Sequence, residues 1–432
     1  MKRPTLPRLL AISWGLCLIV CCTCELTRAD ETADANWGHW RGPTGNSTSL
    51  TATPPVKWSS SENVRWKTPV PGSGSGSPIV WDDQVIVTTA VPTGNNGGRF
   101  PELSFQVHSF DKETGKAKWQ QTAIVATPHA GTHRTNGFAS ASPCTDGKRI
   151  YASFGSRGLF CYGMDGTPLW QRTDFPPMTT RAGFGEGSSP TIAGDVLLLP
   201  WDQEGSSFLY AINSATGKTK WKTPRNEPTC WATPLVVEGT KGKQVVMNGQ
   251  TMARGYDLAT GQELWRCGGQ TQRPVATPVA MDDLVFVGSG FRGSFLGAFR
   301  LDGRGNVENT DAVAWTIQQD TPDIASLLLS EDRLYFHKAK TGILSCVDAS
   351  TGKPLFGPER LPEIRTLYAS PVAANGHLYT TGRSGTTVVI KDAADLQIVS
   401  VNNLGEGIDA TPALAGDSVF LRATSHLYRI SE

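Results

Sequence analysis

The stretch SPTIAGDVLLLPWDQEGSSFLYAINSATGKTKW, residues 189–221, decides the fold. After Ser189-Pro190 a short apolar run, Thr191-Ile192-Ala193, meets a Gly194-Asp195 turn, a pair of residues that tolerates positive φ in a hairpin. An alternating run from Val196 follows, then a third run ending in Leu209-Tyr210-Ala211-Ile212-Asn213. A second turn, Ala215-Thr216-Gly217-Lys218, leads to a fourth run closing on Trp221. The stretch therefore reads as four short antiparallel strands with no helical segment.

The same grammar recurs along the chain. Ser77-Pro78, Ser142-Pro143, Thr233-Pro234, Thr277-Pro278, Ser370-Pro371 and Thr411-Pro412 open further repeats, and Ala325-Ser326-Leu327 opens one that keeps the Ser and loses the Pro. Seven steps cover the 334 residues from Ser77 to Thr411, about 48 each, the length of a four-stranded propeller blade. The Thr-Gly turn returns at Thr114-Gly115, Thr260-Gly261 and Thr351-Gly352. The closing aromatic returns as Trp119, Trp170, Trp265 and Trp315, with Phe356 as a substitute and Ile398-Val399 in its place in the seventh repeat. One such sheet cannot bury both of its faces alone, so neighbours must stack. These tryptophans are read as docking residues that carry each outer strand onto the next blade.

The eighth repeat stops at Ile430 without a Thr-Gly turn or a closing Trp. Asn63-Val64-Arg65-Trp66-Lys67-Thr68-Pro69 has the pattern of a fourth strand, as in Trp221-Lys222-Thr223-Pro224. The expectation is an all-β, eight-bladed β-propeller of four-stranded antiparallel blades, closed by this N-terminal strand on the last blade. Closure removes free sheet edges, and a monomer is expected. The propeller is assigned to residues 63–432 and an N-terminal extension to 30–62. Loss of residues 30–69 is expected to lower stability globally, and loss of residues 30–50 alone to be much milder.

The N-terminus has the order of an export signal: basic residues from Lys2 to Arg8, an apolar run Leu9–Val20, and Thr27-Arg28-Ala29 with small residues at −3 and −1. A signal peptide over residues 1–29 places the protein in the periplasm or cell envelope. Membrane association is expected only if that segment is retained or lipidated; Val20 before Cys21 is bulky for a lipidation box. Beyond it lie Cys144, Cys161, Cys230, Cys267 and Cys346, with no CxxC spacing to suggest zinc or redox chemistry. They read as buried small hydrophobes, and a Cys144–Cys161 pairing stays open. Lys+Arg number 40 against 39 Asp+Glu and no basic stripe stands out, so nucleic acid has no evident footprint.

The Thr-Gly-turn-to-Trp repeat resembles that of pyrroloquinoline-quinone (PQQ) dehydrogenases and of the propeller lipoprotein of the outer-membrane β-barrel assembly machinery. Trp37-Gly-His-Trp-Arg-Gly-Pro43, residues 132–156 and residues 410–428 resemble a group of exported PQQ-like propellers of planctomycete-type bacteria. Members that are PQQ enzymes use an adjacent-cysteine disulfide, a Trp floor and a Ca²⁺ site with an Asp base. Cys21-Cys22, the one adjacent pair, lies in the signal segment. No cofactor, metal ligand set or catalytic residue is assigned, with PQQ and Ca²⁺ kept as the alternative.

Other motifs do not carry chemistry. Gly183–Ser188 precedes a strand, where a phosphate cradle needs a helix. Gly72-Ser73-Gly74-Ser75-Gly76 lacks the strand-turn-helix of a hydrolase elbow. What remains are the loops before each first strand, which a propeller gathers at one mouth of its channel. Candidate binding residues there are Arg134, Asn136, Arg181, Glu186, Trp231, Arg273, Arg365, Tyr368 and Asp409. The reading is a non-catalytic propeller or scaffold that binds an envelope protein or a small anionic or carbohydrate ligand. The alternatives are a PQQ-dependent oxidoreductase of alcohols or sugars and an outer-membrane assembly factor.

Overall fold

The computed structural model describes Met1 and residues 35–239 and 242–432. The signal assignment and its cleavage after Ala29 lie outside the described residues, Met1 aside. Eight antiparallel sheets form a ring, and each runs strand by strand from the axis outward. The blade built from the deciding stretch has Thr191–Ala193, Val196–Trp201, Ser207–Asn213 and Thr219–Arg225. Among the described residues no α-helix occurs, only two short 3₁₀ turns at Gly155–Arg157 and Arg181–Gly183. Blades stack through buried apolar layers, for instance Leu197, Leu199 and Tyr210 against Cys144, Tyr151 and Cys161 of the blade before.

The ring closes as the sequence requires. Val64–Pro69 is the outer strand of the eighth blade and pairs antiparallel with His426–Ile430, Trp66 opposite Arg429 and Pro69 opposite His426. A second closure runs around the axis. The main-chain N–H of Ser77 donates to Ser142 Oγ at 2.9 Å, and that of Ser142 to Ser189 Oγ at 2.9 Å. The series continues through Thr233, Thr277, Ser326 and Ser370 to Thr411, whose N–H returns to Ser77 Oγ at 2.9 Å. The repeated Ser or Thr is thus an eight-membered hydrogen-bonded hoop. Ser326 fills its place without the Pro because only the N–H and the hydroxyl matter.

At the periphery, five tryptophans lie over the glycine of the following blade's outer turn and donate their indole N–H to a carbonyl there. Trp66 donates to Lys112 at 2.9 Å, Trp119 to Met164 at 3.0 Å, Trp170 to Ser214 at 2.9 Å, Trp221 to Leu258 at 3.0 Å and Trp315 to Ala349 at 2.9 Å. Gly261 shows why glycine is needed: its φ is +72°, and a Cβ there would come within 2.5 Å of Trp221. Thr223, two residues beyond the Trp, adds a 2.7 Å bond to the Gly261 carbonyl.

Trp265 departs from the expected docking. It is fully buried inside its own blade and donates to Gln244 Oε1 at 3.0 Å. Two causes are visible. The residue opposite it is Gly255, where a Cβ would come 2.1 Å from the indole nitrogen, whereas Trp221 faces Ala211. The next blade also lacks the turn: an insertion sends Gly305–Asn306 alongside the outer strand Glu263–Cys267 as an extra parallel strand.

Within the segment assigned as an extension, residues 37–58 form an axial plug that touches every blade. Trp37 bridges to Val80 of the first blade, and Gly38 accepts from Thr145 N–H of the second. His39 meets Thr191 of the third blade, Gly45 abuts Leu235 of the fourth, and Asn46 bonds both ways with Ala280 of the fifth. Arg41 donates to the Leu327 carbonyl of the sixth, Thr48–Ser49 pairs parallel with Ala373–Ala374 of the seventh, and Thr53 N–H reaches Gly416 of the eighth. The segment then supplies Trp58, buried and stacked on Tyr379 at 6.3 Å. That indole packs on the seventh blade, whose outer strand has Ser400 at the tryptophan register, but without the indole hydrogen bond of the docking tryptophans.

Candidate functional site

The loops before the first strands gather at one end of the axis, around a cavity of about 380 Å³. The hydroxyl hoop forms its lower wall and Trp40 of the plug reaches it from below. Aromatic rings dominate the upper wall. Phe184 stacks on Trp231 at 6.4 Å, and Trp231 is fixed by its N–H to the Gly185 carbonyl at 2.8 Å. His133 meets Phe184 edge-on at 5.1 Å and bonds Thr135, whose hydroxyl lies 3.1 Å from Tyr368 Oη.

Five of the nine sequence-assigned residues, Asn136, Trp231, Arg273, Tyr368 and Asp409, line this cavity. Arg134 and Arg365 are exposed and outside its lining. Arg181 turns toward Gln250 (3.2 Å) and Gln272 (3.5 Å), also outside it. Glu186 lines an adjoining pocket of about 50 Å³ beside His129, which shares Trp231 with the cavity. There it accepts from the N–H and the hydroxyl of Ser156, both at 2.5 Å, so it clamps the loop 154–158. Of the four arginines assigned to the mouth, Arg273 lines the cavity, and Arg181 meets Arg273 through Gln250. Loop position sets which end of the propeller a residue reaches, but not which way a long side chain turns.

The charged groups at the mouth are largely neutralised in place. Arg273, held at φ +45°, lies over Phe291 at 3.5 Å and donates to Asp323 at 3.1 Å. Burial raises the Asp323 carboxyl, with Arg273 pulling the other way. Asp409 is gripped by both arms of Arg383, at 2.6 and 2.9 Å, and the guanidinium stacks on Tyr368 at 4.2 Å. Lys340 lines the rim, is exposed, and forms no ion pair with a described residue. Sequence reading missed Lys340, Phe184, Phe291 and Trp40. The last had a signal, since Trp37-Gly-His-Trp-Arg-Gly-Pro43 is too rich in large side chains for a solvated tail.

The lining does not fit PQQ with its calcium ion. The five cysteines beyond the signal segment are free, buried and dispersed, so no vicinal disulfide can face a quinone. The two mouth carboxylates are committed to Arg273 and Arg383. Among the described residues, no group of three or more His, Cys, Asp or Glu is placed to hold a metal ion.

A family model described as outer membrane protein assembly factor BamB matches residues 26–173, 104–357 and 162–432. The outer membrane protein assembly factor BamB of Burkholderia pseudomallei (strain K96243) is 25% identical over 256 residues, 55% of this chain and 58% of that protein. The chain thus spans somewhat over half the length of that relative. Among solved structures, BamB from Moraxella catarrhalis superposes with a TM-score of 0.53 at 14% identity, over 84% of this chain and 96% of the other. Quinohemoprotein alcohol dehydrogenase ADHIIG from Pseudomonas putida HK5 gives 0.61 at 10% identity, over 94% and 81%. The latter two show a shared fold. With the family model matching from residue 26 to the last residue, the chain belongs to the BamB family of PQQ-like repeat propellers.

Proposed function

We propose that this chain is a non-catalytic binding propeller of the cell envelope that holds a partner at its axial mouth. The observation that carries this reading is the cavity itself. It has aromatic walls over a plugged channel, and its acids are tied to arginines and so are not poised as bases. Export fits the basic and apolar order of residues 1–29. The test places a photo-crosslinking residue at Trp231 and, as a control, at the exposed outer-strand residue Leu169, in tagged protein expressed in its native cell. An envelope protein or saccharide captured from position 231 and not from 169 is the expected result. Equal capture from both positions would sink the mouth as the site. Alcohol- or sugar-dependent dye reduction after incubation with PQQ and Ca²⁺ would overturn the non-catalytic reading.

A second reading, an outer-membrane assembly factor, is favoured by the family match over residues 26–432. It requires co-purification with outer-membrane assembly proteins and slower insertion of barrel proteins when the chain is depleted. Normal insertion without it would end that reading.

A further inference from the structure

The hydroxyl hoop has a chemical asymmetry. Each of its oxygens already accepts a main-chain N–H from the blade before, and none of the eight hydroxyls donates its proton to a described residue. A hydroxyl that accepts a hydrogen bond becomes a better donor. Seven of the eight line the cavity, Thr277 being the one that does not. The base of the mouth is therefore a circle of polarised O–H donors. The nearest acids, Asp323 and Asp409, are engaged by arginines.

Below that circle the charge is positive and unanswered. Arg41 is buried behind Trp40, its guanidinium 5.1 Å from the indole centroid. Its one partner is the Leu327 carbonyl, next in sequence to Ser326 of the hoop; Nε and the other Nη have none. No described carboxylate pairs with it, and burial alone lowers it to about 9. His39 beside it is held neutral, near 3, by burial first and then by Arg41. Lys340 is exposed at the rim and forms no ion pair among the described residues; its charge reaches only Asp323, which Arg273 already holds. Water could satisfy the O–H donors but would leave a buried cation without a counter-charge. A ligand that brings acceptor oxygens and a negative charge answers both, and the aromatic walls suit an organic body attached to it.

We propose that the axial mouth binds an organic carboxylate, with the carboxylate seated on the hydroxyl hoop between Lys340 and Arg41 and the apolar body against Trp231 and Phe184. This rests on the reading of the mouth as the binding site. The source of the carboxylate is either a free small acid or the carboxyl terminus of a polypeptide.

The experiment is calorimetric titration of the purified full chain at low salt with N-acetyl-phenylalanine, with its C-terminal amide, and with a tetrapeptide ending in a free carboxyl phenylalanine. Binding of the acid forms and at least about tenfold weaker binding of the amide is expected. Tetrapeptide affinity above that of the single amino acid points to a protein terminus, and equal affinity to a free acid. Lys340→Gln, at an exposed position that leaves the fold intact, should weaken the acids several-fold and leave the amide unchanged. Thr233→Val removes one hoop hydroxyl at the cavity and should weaken the acids while leaving the amide unchanged. Equal binding of acid and amide, or undiminished acid binding in a folded Thr233→Val, would overturn the carboxylate seat. If no probe binds while Trp231 still captures a partner in cells, the seat falls and the binding reading stands.

Discussion

Trp265 and Trp221 are indistinguishable by repeat phase, yet they do different things. One fills its own blade and the other crosses to the next. Two things separate them: the Cβ that Ala211 has and Gly255 lacks across the ladder, and the turn that the blade after Trp265 does not offer. The glycine was visible in the sequence, but only knowledge of the register gives it meaning. Trp265→Ala removes a fully buried indole and should cost about 3–5 kcal/mol, whereas Trp221→Ala, half-buried, should cost about 2–3 kcal/mol. Chemical denaturation of both variants checks the order. Glu406 offers a second test at this scale. Burial alone would raise its carboxyl, but the N–H of Ser425, the hydroxyls of Tyr428 and Ser425, and His426 together pull it to about 2. Its stabilising effect is therefore complete above its ordinary value of 4.5 and is lost as pH falls toward 2. Glu406→Gln should be less stable than the parent at pH 7, and the gap should close as thermal melts are taken from pH 4.5 down toward 2. A gap that persists at the acid end would contradict this account.

Among the elements, the blades were legible and the plug was not. A blade repeats, so each copy corroborates the others: Ser-Pro, turn, Thr-Gly, Trp. Residues 37–58 occur once and have no second copy to be read against. Their order of contact, from Val80 through Thr191 and Ala280 to Gly416, follows from a channel that exists only after the blades assemble. Trp58 shows the same limit. The seventh blade looks defective because its outer strand has no aromatic, and the residue that covers it sits some 340 residues upstream, where the main-chain N–H of Trp58 donates to Asn402 Oδ1. The absence is coherent, since the third and outer strands of the eighth blade, His426–Ile430 and Val64–Pro69, are not joined by a turn on which a seventh-blade indole could dock. Removal of residues 30–50 takes away Trp37 and Arg41, both fully buried, and should lower the melting temperature of the whole ring. Trp58→Ala should instead raise hydrogen exchange first in Val372–Ala374 and His377–Thr381, the inner strands of the seventh blade.

At the scale of the whole molecule, blade number and closure could be read because they are counting arguments. The mouth could be read only in outline, because side-chain direction in loops is set by neighbours from other blades. Five of nine assigned residues reach the cavity, and the donors that line its base were taken as mere repeat markers. The plug and the closing strand also impose an order of events. Trp66 pairs with Arg429, and residues 37–53 touch every blade down to Gly416. A nascent chain emerges N-terminus first, so its earliest residues have no complete set of partners until its last ones appear. Blades can form locally as they emerge, but the axial segment must wait, unpaired, for the entire length to be delivered. Chains truncated before Thr411 should leave residues 37–69 open to protease cutting, and the full chain should protect them. If the chain is exported, as proposed, that delay keeps the ring open until its last residues have been delivered.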